Sequence, residues 1–317
     1  MSTVSGEAQA VPAQIIVHDP ATAGALDRLG ALPDPEVRSR FAFTDAPDPA
    51  RFARQHEGFV AAIAAQGVEP VALGDLLGGR YGEALELNPN HVYTRDSAVT
   101  LPWTPDVFVR GKMREPIRRH EPAVMGDALT ALGLRELARM PAGVFLEGGD
   151  VIPFAAGGRR VLLVGYGPRS APAALHALRK ALVPEHVDEV IGIELARWRI
   201  NLDGVIVPVA DDVAVAHPGS VERAVRVTED GVEPVDLFAL LADHGVDVVE
   251  ITAEEAKREA CNCLCLGHRR IVCYDHNERV LDALRDRGID VIAVAGDELL
   301  KGTGGPRCMT RPVYRAA

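Results

Sequence analysis

No window of this chain approaches the roughly 18 consecutive apolar residues of a membrane-crossing helix, so no membrane partner is expected. Residues Met1 to Ala13 lack a basic start and the apolar stretch of about 7–15 residues that marks a secretory leader. They also lack hydrophobic periodicity and read as a disordered tail. Two nucleotide signatures are missing, the phosphate-cradling G-x-x-x-x-G-K-[ST] and the glycine fingerprint that opens a helix after a strand, so no nucleotide cofactor is expected. Cysteine is scarce, five residues, and the odd number without an export signal reads as reduced thiols in the cytoplasm. Three of them, Cys261, Cys263 and Cys265, alternate. Strand alternation puts them on one face but spreads them too far for one tetrahedral zinc, and no pair of histidines has H-x-x-x-H spacing on a plausible helix. No metal is expected.

Basic residues are outnumbered, 34 against 45 acidic, for a formal charge of −11. That balance disfavours a phosphate-backbone partner, and no nucleic acid is expected. It is compatible with a small cationic substrate. The 47% hydrophobic and 25% charged content is ordinary for a globular chain of this length.

What the chain does have is a repeated pattern. Four segments read as hairpins: Ser97 to Leu101 with Val107 to Arg110, Val151 to Phe154 with Val161 to Gly165, Val205 to Val209 turning through Ala210-Asp211-Asp212, and Cys263 to Leu266 with Ile271 to Tyr274. Between them Arg51 to Gln66, Ala171 to Leu182, Pro234 to His244 and Asn277 to Arg287 have helical composition and spacing. Ahead of each hairpin stands a polar cluster: Asn90 with Thr94-Arg95-Asp96, Glu147-Gly148-Gly149-Asp150, Asn201-Leu202-Asp203, and Asn262. A fifth, Gly304-Gly305-Pro306-Arg307-Cys308, follows. Regular recurrence of one supersecondary unit is the mark of a propeller-like or solenoidal array. If five units close around an axis, all five clusters meet at one end of it.

The clusters suit one chemistry. A guanidinium ion is planar, permanently charged and rich in N–H donors, so a site for it needs carboxylates, and Asp96, Glu147 and Asp203 are the candidates. Opening its central carbon needs a strong nucleophile, for which a thiolate is the best side chain near neutral pH. Cys308 follows two glycines with exposed N–H groups and a neighbouring Arg307.

Leu146-Glu147-Gly148-Gly149-Asp150 and Gly304-Gly305-Pro306-Arg307-Cys308-Met309-Thr310-Arg311-Pro312 closely resemble arginine deiminases and related amidinotransferases, the guanidine-modifying branch of the pentein superfamily. Gln55-His56 and Asn90 with Tyr93-Thr94-Arg95-Asp96 are similar too, so the resemblance runs from about Phe41 to Arg315. It implies an α/β fold, a five-bladed propeller of ββαβ units, as a single catalytic domain over residues 14–317, with a homo-oligomer as one option for assembly. It implies hydrolysis of arginine or a similar guanidino compound through a thiouronium on Cys308, without a cofactor. By residue match Asp96 and Asp203 would grip the guanidinium nitrogens, and Glu147 would bind it and assist proton movement. Asn90 stands at a substrate-binding position, and Arg169 or Arg307 would hold the substrate carboxylate. Transfer of the amidino group to an amine acceptor uses the same first half-reaction and stays open.

The chain departs from the pattern twice. Where the family carries a catalytic histidine, two residues ahead of Asp203, stands Asn201, and an amide cannot ferry a proton. Three explanations are open: a histidine-to-asparagine substitution introduced to trap a complex, a natural asparagine with His91 or Glu147 taking over, or a chain that binds its ligand without turnover. Second, only about 30 residues separate Gln55-His56 from Asn88, where catabolic arginine deiminases insert a helical bundle. Free arginine is correspondingly less firmly implied.

Overall fold

The computed structural model describes residues 4–21, 24–31, 41 and 43–315. Strand β1 (Gln14–Val17) crosses over through the helix Pro49–Ala64 to the parallel β2 (Glu69–Ala72), in register Gln14↔Glu69. The next unit is complete: the antiparallel pair β3 (Ala98–Leu101) and β4 (Thr104–Arg110), the helix Glu121–Ala131, then β5 (Arg135–Arg139) parallel to β4. The same order recurs in β6 (Val151–Ala156), β7 (Arg159–Tyr166), the helix Ala173–Leu182 and β8 (Glu189–Leu195). It recurs again in β9 (Ile206–Pro208) and β10 (Val213–Ala216), where the inserted pair β11 (Val221–Val227) and β12 (Val232–Val235) extends the sheet of β8. The helix Leu237–Asp243 and β13 (Asp247–Glu250) complete that unit. Last come β14 (Leu264–Cys265), β15 (Arg270–Tyr274), the helix Glu278–Arg285 and β16 (Asp290–Val294). Strand β17 (Arg311–Val313) returns antiparallel to β1, so the C-terminal end supplies the hairpin partner that the first unit lacks. The described residues form a mixed α/β fold of five small sheets.

Parallel neighbours require a crossover, which is why each unit contains a helix between its second and third strands. The helix Ala173–Leu182 shows how such a helix is written: Ala174, Leu175, Leu178 and Leu182 are buried, a 3.6-residue stripe laid on the sheet. Two expected helix starts shift for local reasons. The helix expected from Arg51 begins at Pro49, because the Asp48 carboxylate accepts the N–H of Arg51 and proline fits the first turn. The helix expected from Pro234 begins at Leu237, because 232–235 pair with β11 and Asp236 caps the helix instead.

Residues 4–13 do not behave as the expected tail. The N–H of Glu7 donates to Pro153 O at 2.8 Å, the N–H of Ala10 to Gly6 O at 3.0 Å, and Glu7 is buried to 4% exposure. A carboxylate pulled inward by two buried arginines holds the segment down. Met1 to Thr3 lie outside the described residues. No described helix is long and apolar enough to cross a membrane.

Short 3-10 turns stand just ahead of the hairpins, at Pro89–Val92, Gly148–Asp150 and Leu202–Gly204, and the last two pack on each other. These turns carry the polar clusters.

Candidate active site

Cys308 lies in a loop between the turn Leu299–Gly302 and β17, and Asn262 holds it from both sides of its Cα. The Cys308 N–H donates to Asn262 Oδ1 at 3.0 Å, and Asn262 Nδ2 donates to the sulfur at 3.0 Å. A Cβ on Gly305 would come within 2.6 Å of Asn262 Cβ, so glycine there is a condition for this clamp. The thiol donates to Asp203 Oδ2 at 3.4 Å. It opens, 8% exposed, on a cavity of about 320 Å³ whose walls include Asn201, Asp203, Arg199, Trp198 and Glu259. Burial pushes the Cys308 thiol well up, the negative charges of Asp203, Asp96 and Glu259 push it further, and a Gly305 backbone hydrogen bond pulls back only in part.

Asp203 is itself raised by burial and by Asp96, against the pull of Arg307. Arg307 accounts for that pull and corrects an expectation. It is 0% exposed, and its guanidinium donates to both Glu7 oxygens at 3.0 and 2.8 Å, to Asp203 Oδ2 at 3.0 Å and to Val151 O at 3.0 Å. A guanidinium so occupied, and closed off from the cavity, is not placed to receive a substrate carboxylate. Glu7 gains from the same pairing: burial would raise its carboxyl, yet Arg307 and Arg95 hold it down to about 2.

A second group stands next to the first across Gly149. A Cβ on Gly149 would lie 2.6 Å from Asp96 Oδ1 and 3.2 Å from Asn201 Cβ, so the absence of a side chain lets Asp96 and Asn201 close on one point. Asp96 accepts the Gly149 N–H at 3.2 Å and Arg118 Nη1 at 2.9 Å. Arg118 forks onto Glu121 at 2.8–3.1 Å and lies over the Tyr93 ring, 5.9 Å from its centroid. Glu147, 0% exposed, sits 3.6 Å from Arg169 Nη1 and 4.0 Å from Arg118 Nη1. Its Oε2, and Arg169 Nη1, are buried without a hydrogen-bond partner among the described residues. Burial raises the Glu147 carboxyl, with Arg169 and Arg118 opposing. Asn90 is fully buried, its Nδ2 on Asn88 Oδ1 at 3.1 Å and its own Oδ1 unpartnered.

Asn201 is held by Asp150, whose Oδ2 accepts Asn201 Nδ2 at 3.1 Å and the Ser170 hydroxyl at 2.6 Å, while Oδ1 accepts the Leu202 N–H at 2.9 Å. Burial drives the Asp150 carboxyl well up despite these donors. His91, weighed as a substitute proton carrier, pairs instead with His120, their Nε2 atoms 3.0 Å apart, and it is not among the residues lining the Cys308 cavity.

The expected residues Cys308, Asp203 and Asn201 thus share one cavity, Asp96 joins them through Gly149, and Glu147 and Arg169 face each other, while Arg307 stands behind the cavity wall. Sequence reasoning gave no role to Arg118, Glu121, Asp150 or Glu259. Asn262 had been visible as the fourth polar cluster, but not its grip on the cysteine. Asp150 had been visible as the end of Glu147-Gly148-Gly149-Asp150.

Comparison with known proteins bears on the same segments. The family model described as arginine deiminase matches residues 80–315. The arginine deiminase of Mycobacterium avium (strain 104) is 32% identical over 255 residues, 72% of this chain and 60% of that protein. That of Bacillus cereus (strain ATCC 10987 / NRS 248) is 28% identical over 276 residues, 77% of this chain and 66% of that one. The chain therefore spans a little over half to two thirds of the length of these relatives. Among solved structures, the N-terminal domain of ArgZ, an arginine dihydrolase from Cyanobacteria, superposes with a TM-score of 0.71 at 17% identity, covering 95% of this chain and 98% of that domain. A dimethylarginine dimethylaminohydrolase adduct superposes with a TM-score of 0.66 at 17% identity, over 95% and 99%. These likenesses concern the fold. The family match runs through every segment that brings Asp96, Glu147, Asp203 and Cys308 together, and this chain belongs to the arginine deiminase family.

Proposed function

We propose that the chain is a guanidine-modifying hydrolase, taking arginine or an arginine-like guanidino compound through a thiouronium on Cys308 and releasing ammonia or an amine. The observation that carries this reading is the Cys308 thiol 3.4 Å from Asp203 in a cavity where burial, and then the negative charges of Asp203, Asp96 and Glu259, push the thiol well up. A bound guanidinium reverses that field. It pairs with Asp203 and Asp96, displaces the thiol proton to solvent, and presents its carbon to the thiolate so formed. The nucleophile is therefore made only when the right cation is present. Glu147 contributes a further acceptor through Oε2, Arg169 takes the polar far end of the substrate, and Asn90, buried with its Oδ1 unpartnered, is a further substrate-binding residue. Attack gives a tetrahedral adduct, one nitrogen leaves with a proton, and water then adds to the thiouronium and frees the sulfur.

The same reading treats residues 14–317 as one catalytic domain in which the five ββαβ units close as a five-bladed propeller. In its support, β17 completes the unit that β1 begins, so the ends of the chain meet in one sheet. Relatives in fold point the same way: the ArgZ N-terminal domain is known with a reaction intermediate covalently bound.

Product analysis tests the proposal. Incubation with arginine is expected to yield citrulline and ammonia in equal amounts, with or without added amine. Ornithine appearing only when an amine acceptor is present would replace hydrolysis by amidino transfer.

A further inference from the structure

Among the described residues, no histidine lines the cavity that holds Cys308, but Glu259 does. From its position we infer that Glu259 is the proton-transfer residue of this enzyme, doing the acid and base work that the amide of Asn201 cannot do. The inference rests on the hydrolase reading above.

Glu259 follows the short helix Ala253–Lys257 and has φ +55°, a left-handed conformation that a residue with a side chain adopts at a cost. The turn is used twice. The Glu259 carbonyl accepts the Asn262 N–H at 3.0 Å, so one backbone reversal aims the Glu259 carboxyl into the cavity and sets the asparagine that grips Cys308. The Glu259 side chain is only 10% exposed, and its ion pair with Arg199 is loose, 3.5 Å from Nη2. Arg199 is pinned elsewhere, to Ala256 O at 2.9 Å and Gly204 O at 2.7 Å, and a Cβ on Gly204 would collide with its guanidinium. The arginine steadies the carboxyl without neutralising it.

The charged and titratable groups around Glu259 act in both directions. Burial raises its carboxyl to about 7, Asp203 adds to the rise and Arg199 opposes it. Cys308, Cys261, Tyr93 and Tyr274 are all pushed up in part by its charge, and Lys257 stands on the same cavity wall. A group that changes charge near neutral pH is suited to give a proton and take one back in one cycle. The steps balance. Cys308 thiolate adds to the guanidinium carbon to give a neutral tetrahedral adduct. The Glu259 carboxyl protonates one nitrogen, the C–N bond breaks, ammonia leaves, and the thiouronium cation stands beside the Glu259 carboxylate. That carboxylate then takes a proton from water as the hydroxide oxygen bonds to carbon. Collapse breaks the C–S bond and returns the thiolate, with the hydroxyl proton passing to the departed ammonia.

The test measures ammonia release from arginine against pH, and alkylation of Cys308 by 2-chloroacetamidine, in the full chain and in its Glu259→Gln, Asn201→His and doubly substituted forms. Alkylation needs the thiolate and the cation site but no proton to a leaving nitrogen. Glu259→Gln is expected to lower kcat about 100-fold or more with little change in KM, in line with the loss of a general acid–base group, and to remove the limb of the pH profile near 7. Its alkylation should fall no more than about threefold below that of the parent, and any change should be a rise, because the Glu259 charge opposes the thiolate; a rate so retained shows that the cavity is intact. Asn201→His should restore turnover in the Glu259→Gln protein by a larger factor than it raises that of the parent. Turnover in Glu259→Gln within about threefold of the parent, with the same pH limb, would overturn the inference and leave the hydrolase reading standing. A parent protein alkylated at Cys308 that turns over no guanidine would overturn it too. A parent protein that is neither alkylated nor active would bring down the hydrolase reading along with it.

Discussion

At Asp203 two effects on one sulfur can be separated. Its carboxylate accepts from the Cys308 thiol and adds to the rise that burial imposes on it, and the proposed reaction also needs that carboxylate to grip the cation. Asp203→Asn removes the first effect and weakens the second, while an amide oxygen can still accept from Arg307. Alkylation of Cys308 by neutral iodoacetamide at pH 7.5 is therefore predicted to speed up severalfold, because less negative charge opposes the thiolate. Ammonia release should fall about 100-fold or more, on the scale of losing a charge that acts in the transition state. The opposite signs matter: a merely damaged fold would lower both. The same residue marks what could be read before the fold was known. Asp203, Asp96, Glu147 and Cys308 announce themselves through short, specific segments of chain. Glu259 does not, since its meaning comes from a left-handed backbone turn and a cavity wall, neither of which leaves a local pattern.

At the scale of elements, hairpins and crossover helices were legible wherever periodicity was strong, as in β6, β7 and the helix Ala173–Leu182. The inserted pair β11 and β12 was not, because Val232 to Val235 lead directly into a helical stretch and only pairing with β11 decides their state. The N-terminal segment was misread for a related reason. Glu7 meets Arg307 across 300 residues of chain, and no window sees both. That contact should govern acid stability. The Glu7 carboxyl drops from its ordinary value to about 2 on folding, so between about 4.5 and 2 the unfolded chain binds more protons than the folded one. Its stabilisation is complete above that window and is lost as pH falls through it. Glu7→Gln is predicted to cost about 3–5 kcal/mol at pH 7, the usual range for breaking a buried ion pair. In denaturant titrations the gap between variant and parent should shrink as pH falls from 4.5 toward 2. A gap constant with pH would mean that packing, not charge, holds the segment.

On the scale of the molecule, the small sheets bring together groups that lie far apart in the chain, from Asp96 to Cys308, and the joining of β17 to β1 places the Cys308 loop beside the first polar turn: the Arg95 N–H donates to Cys308 O at 3.1 Å. The structure brings Asp96, Asn201, Asp203, Asn262 and Cys308, from separate polar segments, close to one another, and the recurrence of hairpin and helix could be read from the sequence. The side on which each arginine stands could not, which is why Arg118, Arg169 and Arg307 had to be sorted by what they touch. The proposed reaction turns on one thiol, and the most direct measurement is made on it. Intact-protein mass spectrometry after rapid acid quenching, with arginine and related guanidines, is predicted to show one adduct of thiouronium mass that maps to Cys308 and is absent from Cys308→Ser. Ammonia release without any such adduct, or an adduct that persists in Cys308→Ser, would contradict the account.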